Sequence, residues 1–413
     1  MPKLSMKKTK SKKLLRGRTK RTKSKKSLRR ESKKVKSKKV LRGGVTLNHE
    51  QKKKMLLLEV LLKNRNYEAA ENVIDEIIGD VILRVYMNQK SIDKSPLYYV
   101  CEVEPEDENI DILKRLALKL IDGGTANVNT NYEYGRLSSP LHVVCKNGNI
   151  ELVKILLDRG AFLEVGSLSK PLHEACEHGN PDIVKELLNK SADINSTNWL
   201  GYTPLHIACK KGHLKVVELL LKKNCKPDVK TETEFVDSGL TPLYLACQNG
   251  HIEIVKLLLP HGTEKNVNVD NESGSVRPLA VACENGHLAV VIYLLEEGAD
   301  INLQDNNFKH TPLHAVCLGR CKLPRLSTHG QTYLAILKHL KGKDGIEVNK
   351  INIDGDTPLH IIARSKVRDF AMALLAEPRR ARIDIQNNDA HTPADFWPEL
   401  RRMLPQQTPS QDQ

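Results

Sequence analysis

Most of the chain repeats one pattern, in which two short amphipathic segments follow each other and a polar stretch separates each pair from the next. The clearest copy begins at Pro204 with LHIACKKG after the proline and continues with HLKVVELLLKK. In its second segment Leu214, Val217 and Leu221 recur at the spacing that places side chains on one face of an α-helix. Each copy therefore predicts two short helices followed by a turn-rich segment.

Capping residues mark the ends of these helices. The Thr203 hydroxyl can accept a hydrogen bond from the first turn of a helix. Pro204 suits the first helical position, because the N–H that it lacks has no partner there. Gly212 can adopt the left-handed conformation in which many helices end. The first helix of this copy is therefore predicted to begin at Pro204 and to end at Gly212.

A phrase built around this proline occurs nine times, from SPLYYVC through TPLHIIA to a degenerate TPADFW. The prolines, 31 to 46 residues apart, are Pro96, Pro140, Pro171, Pro204, Pro242, Pro278, Pro312, Pro358 and Pro393. A pair of helices this short cannot bury its apolar faces alone, so neighbouring copies must stack. Because each buried aliphatic side chain contributes about 1.5–3 kcal/mol, stacking outweighs helix propensity.

The phrase and its spacing resemble the ankyrin repeat family, whose period is about 33 residues. The most similar segments are GYTPLHIACKKGHLKVVELLLKK, LTPLYLACQNGHIEIVKLLLPHG and PLAVACENGHLAVVIYLLEEGADIN. The resemblance covers residues 91–404 and implies an all-α solenoid, an ankyrin repeat stack of helix pairs with β-turn or hairpin tips. Tyr98, Tyr244 and Ala280 depart from the family by replacing the histidine of the motif.

The segments around this array have their own patterns. Residues 45–90 contain two helical stretches and are interpreted as an N-terminal cap or a divergent repeat that lacks the proline. At the other end HTPADFWPELRRML closes the array, and residues 405–413 are predicted to be disordered. The two longest spacings indicate insertions near Glu102–Asp111 and Leu318–Gly330. Since repeats accept insertions in loops, both are expected to project as loops.

Charge is unevenly distributed along the 413 residues, whose net charge is +15. Residues 1–44 hold 21 lysine and arginine residues and one acid, Glu31, whereas the remainder holds 44 basic and 49 acidic residues. The basic character therefore belongs to an N-terminal tail. Because this tail has no aromatic residue and repels itself, it is predicted to be disordered.

The basic tail is a candidate nuclear or nucleolar address, recognised by a nuclear import receptor. Its alternatives are non-specific, salt-sensitive contacts with RNA or DNA phosphates and a merely solubilising extension. A base-stacking platform is not expected without aromatic residues. A mitochondrial signal is disfavoured because lysine exceeds arginine. The candidate basic residues are Lys20, Arg21, Lys23, Lys25, Lys26, Arg29, Arg30, Lys33, Lys34, Lys36, Lys38 and Lys39.

Cysteine and histidine residues raise the question of a metal site. Seven of the nine cysteines lie five residues after a repeat proline and are interpreted as packing residues in a reducing compartment; Cys225 and Cys321 lie outside this pattern. His310, His314, Cys317 and Cys321 have the chemistry and the approximate spacing of zinc ligands. A structural role is favoured over zinc, because His314 and Cys317 already belong to the repeat phrase.

Catalytic motifs are not found in the sequence. No phosphate-binding loop or G-x-S-x-G segment occurs, and HEACEH lacks the spacing of the HExxH zinc motif. No apolar run reaches the 18 residues that a transmembrane helix needs. We therefore expect neither an enzyme nor a cofactor nor a membrane span, and a monomer rather than an oligomer.

The resemblance also implies a concave surface, formed by the tips and the first helices, that binds a protein partner. Trp199, Tyr202 and Phe308 are aromatic residues at predicted tips, where they serve either as binding hot spots or as covers of a neighbouring tip. The candidates at the ends of the first helices are Lys146, His178, Lys210, Lys211, Gln248, Asn249, Glu284 and Asn285, with a solvated surface as the alternative for each. Asn195 and Asn302 match the asparagine that is hydroxylated in ankyrin repeats.

These features together predict a non-enzymatic adaptor or scaffold. In this hypothesis the ankyrin stack binds a protein partner and the basic tail directs the chain to the nucleus or nucleolus, with the cytoplasm as the alternative location. A second hypothesis is an RNA- or chromatin-associated protein, in which the tail binds phosphate and the stack is a spacer.

Overall fold

The computed structural model describes residues 47–80, 95–124, 126–129, 139–164, 168–232, 239–262, 267–268, 277–324, 327 and 329–404. This part of the chain forms 20 α-helices and one 3₁₀ turn, and it contains no β-strand. The predicted all-α repeat architecture is therefore confirmed, with turns at the tips. The disorder predicted for residues 1–44 and 405–413 lies outside the described residues.

The helices form ten consecutive pairs in the described residues. Their bounds are α1 His49–Lys63, α2 Tyr67–Gly79, α3 Pro96–Glu102, α4 Ile110–Asp122, α5 Pro140–Asn147, α6 Ile150–Asp158, α7 Pro171–Glu177, α8 Pro181–Asn189, α9 Pro204–Lys211, α10 Leu214–Lys222, α11 Pro242–Gln248, α12 Ile252–Leu258, α13 Pro278–Glu284, α14 Leu288–Glu296, α15 Pro312–Lys322, α16 Gly330–Gly342, α17 Pro358–Ser365, α18 Arg368–Leu375, α19 Pro393–Phe396 and α20 Leu400–Met403. We name each repeat after the proline that begins its first helix.

The helix pairs stack in sequence order. Each first helix packs on the first helix of the next repeat, and the second helices pack in the same way. The two helices predicted near the N-terminus, α1 and α2, continue this arrangement by packing on α3 and α4 respectively. One contiguous apolar core results, and it extends from Met55 to Leu400.

A glycine of one repeat and a histidine of the next are in close contact along the stack. Gly212 ends its helix in the left-handed conformation, as predicted, with φ of 84°. A Cβ atom at this position would lie 2.5 Å from the imidazole of His251 in the next repeat. The same imidazole bonds to the carbonyl of Lys210 (Nε2–O 3.3 Å). Glycine is therefore required both by the backbone conformation and by the close approach of the next repeat.

A second set of histidines ties the first helices to the tips. His206 Nδ1 accepts from the backbone N–H of Thr203 (3.1 Å), and its Nε2 lies 2.9 Å from the carbonyl oxygen of Leu240, just before the next repeat. Because Nδ1 accepts, the proton sits on Nε2 and is donated to that carbonyl. Equivalent pairs of bonds are made by His142, His173, His314 and His360.

The predicted insertions are only partly loops. The helices at these places are longer than their counterparts, with 13 residues in α4 and 13 in α16 against 9 in α8. In α4, Leu113, Leu116 and Leu120 keep the helical spacing and are fully buried. Residues 103–109 form a loop between α3 and α4, as expected, whereas α15 continues to Lys322, so the start of the second predicted insertion is helical rather than a loop.

Burial of the tip-binding histidines predicts a loss of stability in mild acid. Burial lowers the pKa of His173, His206 and His314 to about 4. Between pH 6.5 and 4 the unfolded chain binds protons that the folded chain does not. The free energy of unfolding should thus be highest above pH 6.5 and fall by roughly 3 kcal/mol per histidine towards pH 4. Urea unfolding followed by circular dichroism measures this dependence.

A pair of variants separates these histidines from other titrating groups. His206→Gln should lower the stability at pH 7 and also reduce its dependence on pH. His49→Gln, at an exposed position at the start of α1, should change neither. A pH dependence that is the same in His206→Gln and in the wild type would contradict this account.

Candidate functional site

The surface predicted from the ends of the first helices is accessible in the structure. Its eight candidate residues are exposed or half-buried: Lys146, His178, Lys210, Lys211, Gln248, Asn249, Glu284 and Asn285. They occur at equivalent places in successive repeats. The stack therefore brings them onto one face, next to the tips.

Several of these side chains already have partners within the chain. Lys211 forms an ion pair with Glu177 (3.0 Å), and Glu284 forms one with Lys322. The amides of Asn249 and Asn285 bond to the carbonyl four residues earlier, at 2.8 and 2.9 Å. The last turns of their own helices hold these two amides, and their role in partner binding stays a prediction.

A groove of about 520 Å³ runs along this face through the Pro96, Pro140 and Pro171 repeats. Its walls combine apolar and charged side chains, namely Tyr98, Val143, Leu168, Trp199, Glu102, Lys146 and Glu174. Of the predicted partner-binding residues, the structure brings Trp199 and Lys146 together in this groove. A concave site of this volume, lined by aromatic and aliphatic residues with a few charges, is typical of a binding site.

Trp199 is held in an exposed position by a rigid tip. Its backbone N–H donates to the carbonyl of Leu168 in the preceding tip (3.2 Å). The side chain of Asn198 accepts from the backbone N–H groups of Leu200 and Tyr202 (3.0 and 2.9 Å) and so fixes the turn. The Trp199 side chain remains 52% exposed. A large aromatic surface is thus presented in a fixed place at the edge of the groove.

Tyr202 is buried rather than exposed. Only 7% of its surface is accessible. Its ring stacks on His206 with the centroids 5.9 Å apart, and Lys210 Nζ lies 5.2 Å from the ring centroid. The prediction of Tyr202 as a partner-binding hot spot is therefore corrected: its ring packs within its own repeat, where it covers the tip-binding histidine.

Glu174 lines the groove although the sequence analysis did not select it. Its side chain is half-buried, and burial raises the pKa of its carboxyl while a hydrogen bond with Ser169 lowers it. A signal was present in the sequence, because the residue that follows the motif histidine is apolar in neighbouring copies, as at Val143 and Ile207. An acid at this place interrupts the pattern.

Phe308 belongs to a separate apolar patch at two tips. It is 57% exposed, and its ring stacks on His310 with centroids 5.5 Å apart. Ile351 and Ile353 of the next tip are also exposed, and the Ile353 N–H donates to the Phe308 carbonyl (2.9 Å). The structure keeps this patch apart from the groove, which Phe308 does not line.

The two asparagines considered for hydroxylation join neighbouring repeats. Asn195 Oδ1 accepts from the backbone N–H of Lys226 (3.0 Å). Asn302 Oδ1 accepts from the N–H of Glu347 (2.9 Å), and its Nδ2 donates to the carbonyl of Gly345 (2.7 Å). Both side chains therefore have a structural role, and their hydroxylation stays a prediction.

The residues with zinc-ligand chemistry have other partners in the structure. Both ring nitrogens of His314 are occupied, by the N-cap of its helix and by the carbonyl of Asp356. Cys317 is fully buried, as are the other six cysteines of the repeat phrase. Throughout the described ranges, no group of three or more His, Cys, Asp and Glu side chains is placed to hold a metal ion.

The remaining predictions concern the ends of the chain and membranes. The twelve basic candidates between Lys20 and Lys39 lie outside the described residues. In the part of the chain that the structure describes, the helices are too short or too polar to span a bilayer.

The fold defines a helical-repeat protein with a groove along one face of its stack. Family models of ankyrin repeats match residues 97–198, 141–231 and 225–305, which together cover just over half of the chain. The chain belongs to the ankyrin repeat family. A comparison with curated proteins gives no match. Ankyrin repeats generally mediate protein–protein interactions, and the family is typically non-enzymatic.

Proposed function

We propose that this protein is a non-enzymatic adaptor that binds a protein partner in the groove between the first helices and the tips. The observation that carries the proposal is Trp199, which is half-exposed on a hydrogen-bonded tip at the edge of a groove of about 520 Å³. Tryptophan is among the residues most often found as hot spots of protein interfaces.

The physical basis is preorganisation. The bonds of Asn198 and the contact with Leu168 already fix the tip. Little conformational entropy of the tip is therefore lost when a partner binds. Burial of the exposed indole then contributes to affinity, and Lys146 and Glu174 supply charges that discriminate between partners.

Replacement of Trp199 should release the partner without unfolding the stack. In the Trp199→Ala variant, the amount of each protein that copurifies with the full-length chain should decrease at least about tenfold, as expected for loss of a hot spot of roughly 1.4 kcal/mol or more. Met372→Ala is the matched control, since Met372 is also half-exposed but lies on a second helix. Quantitative mass spectrometry of cross-linked complexes measures the copurifying proteins of both variants.

The two variants must give different results for the proposal to stand. Circular dichroism should show the same helix content in each. If the partners are retained by Trp199→Ala to the same extent as by Met372→Ala, the groove is not the partner-binding site.

We also propose that residues 1–44 direct the adaptor to the nucleus or nucleolus through an import receptor. Their 21 basic residues and single acid support this proposal, because dense basic clusters are recognised as import signals. The same charge favours contact with nucleic-acid phosphates, which makes the RNA- or chromatin-associated protein the second candidate.

Deletion of residues 1–44 distinguishes the two functions. If residues 1–44 are a nuclear address, the protein that lacks them should be lost from the nucleus in fluorescence microscopy but should keep its copurifying proteins. For a nucleic-acid-binding protein, the deletion should abolish RNA and DNA binding, and salt should do the same to the intact chain. A nuclear fraction that is unchanged by the deletion would contradict the address, as would an intact protein confined to the cytoplasm.

A further inference from the structure

The carboxylate of Glu174 lines the groove as a half-buried acid. Burial raises the pKa of this carboxylate, as does the nearby Glu177, whereas Ser169, His178 and Lys146 lower it. None of the ion pairs among the described residues includes Glu174, in contrast to Glu177, which is paired with Lys211 at 3.0 Å. A half-buried carboxylate with no ion pair can gain much from a cation that enters the groove.

The indole of Trp199 and this carboxylate line the same groove. The Trp199 N–H bonds to the carbonyl of Leu168, and the next residue, Ser169, lines the groove together with Glu174. The aromatic group is thus tied to the tip that precedes the helix of Glu174, and both groups face one groove. Ser169 is itself fixed, because its carbonyl is 3.0 Å from His142 Nε2.

We propose that the groove binds an arginine side chain in an extended segment of the partner protein. The guanidinium stacks on Trp199 and pairs with Glu174, while the aliphatic part lies against the apolar wall that includes Val143. Arginine is favoured over lysine because its planar group both stacks on aromatic rings and forms two parallel hydrogen bonds with a carboxylate. This inference rests on the proposed function and defines the chemistry of the partner.

The volume of the groove supports a peptide rather than a single side chain. At about 520 Å³ it falls in the range of sites for drug-sized ligands. The residues on either side of the arginine therefore find apolar contacts with Tyr98 and Leu168. The test below therefore varies these flanking residues.

An array of immobilised heptapeptides tests the proposal with the full-length protein. The central residue is arginine, citrulline, lysine or glutamate, and the flanking residues are randomised over Ala, Leu, Val, Pro and Ser. At 150 mM salt we expect arginine-centred peptides to be selected. Citrulline, which has the same shape but no charge, should bind at least about tenfold more weakly, as expected for loss of a charge-assisted hydrogen bond.

Variants locate the selected peptides on the protein. Glu174→Gln keeps the size of the side chain but removes its charge, and it should reduce the affinity for arginine peptides about tenfold while changing that for citrulline peptides less than twofold. Trp199→Ala should reduce the affinity about fivefold, the size of a cation–π contact of roughly 1 kcal/mol. Glu177→Gln, which removes an acid already paired with Lys211, should have no effect.

The readout in solution is tryptophan fluorescence. Titration with a selected peptide should change the emission of Trp199, which is 52% exposed, and leave that of Trp397, which is 8% exposed, unchanged. A variant that has lost helical structure by circular dichroism is replaced by Glu174→Asp, which keeps the charge but shortens the side chain and should weaken binding.

Other outcomes overturn the inference. Equal binding of arginine and citrulline peptides, selection of glutamate-centred peptides, or no saturable binding each contradicts it. Binding that is seen only after removal of residues 1–44 would assign the groove to the chain's own tail instead. If partner capture depends on Trp199 but arginine is not selected, the adaptor function stands and only the arginine site fails.

Discussion

Packing between neighbouring repeats is the interaction on which the structure depends. Each helix pair is too small to enclose its own apolar side chains, and the contiguous core from Met55 to Leu400 exists only because every pair covers the next. The contact between Gly212 and His251 sets how closely two pairs approach. The bond from His206 to the Leu240 carbonyl sets where the next tip begins. Stability and geometry are therefore properties of the junctions.

The shape of the groove depends on those junctions between repeats. Its charged and apolar walls come from first helices of three repeats and from the tip that precedes a fourth. The bond between Trp199 and Leu168 passes from one tip to the preceding one, and His142 joins its own helix to the tip that carries Ser169. A shift of one repeat against its neighbour would thus separate Trp199 from Glu174. A groove of this kind requires a regular stack.

Local features of the fold could be predicted from the sequence, whereas contacts between repeats could not. Thr203, Pro204 and Gly212 act within one or two helical turns, so their effects were readable from adjacent residues. The burial of Tyr202 and the position of Trp199 in the groove depend on side chains in different structural elements. The continuation of α15 to Lys322 was missed because the spacing of the repeat prolines, rather than the local apolar pattern, was interpreted. Glu174 could have been recognised in the sequence, because the equivalent positions in neighbouring repeats are apolar.

Hydrogen exchange of the full-length chain with Gly250→Ala tests the nearest-neighbour account most directly. A Cβ atom there would lie 2.4 Å from the imidazole of His287, and the glycine has φ of 76°. We expect faster amide exchange in the Pro242 repeat and in the Pro278 repeat that follows it, with protection in the Pro96 repeat unchanged. Faster exchange spread uniformly over the described residues, or exchange unchanged everywhere, would contradict the dependence of the stack on its junctions.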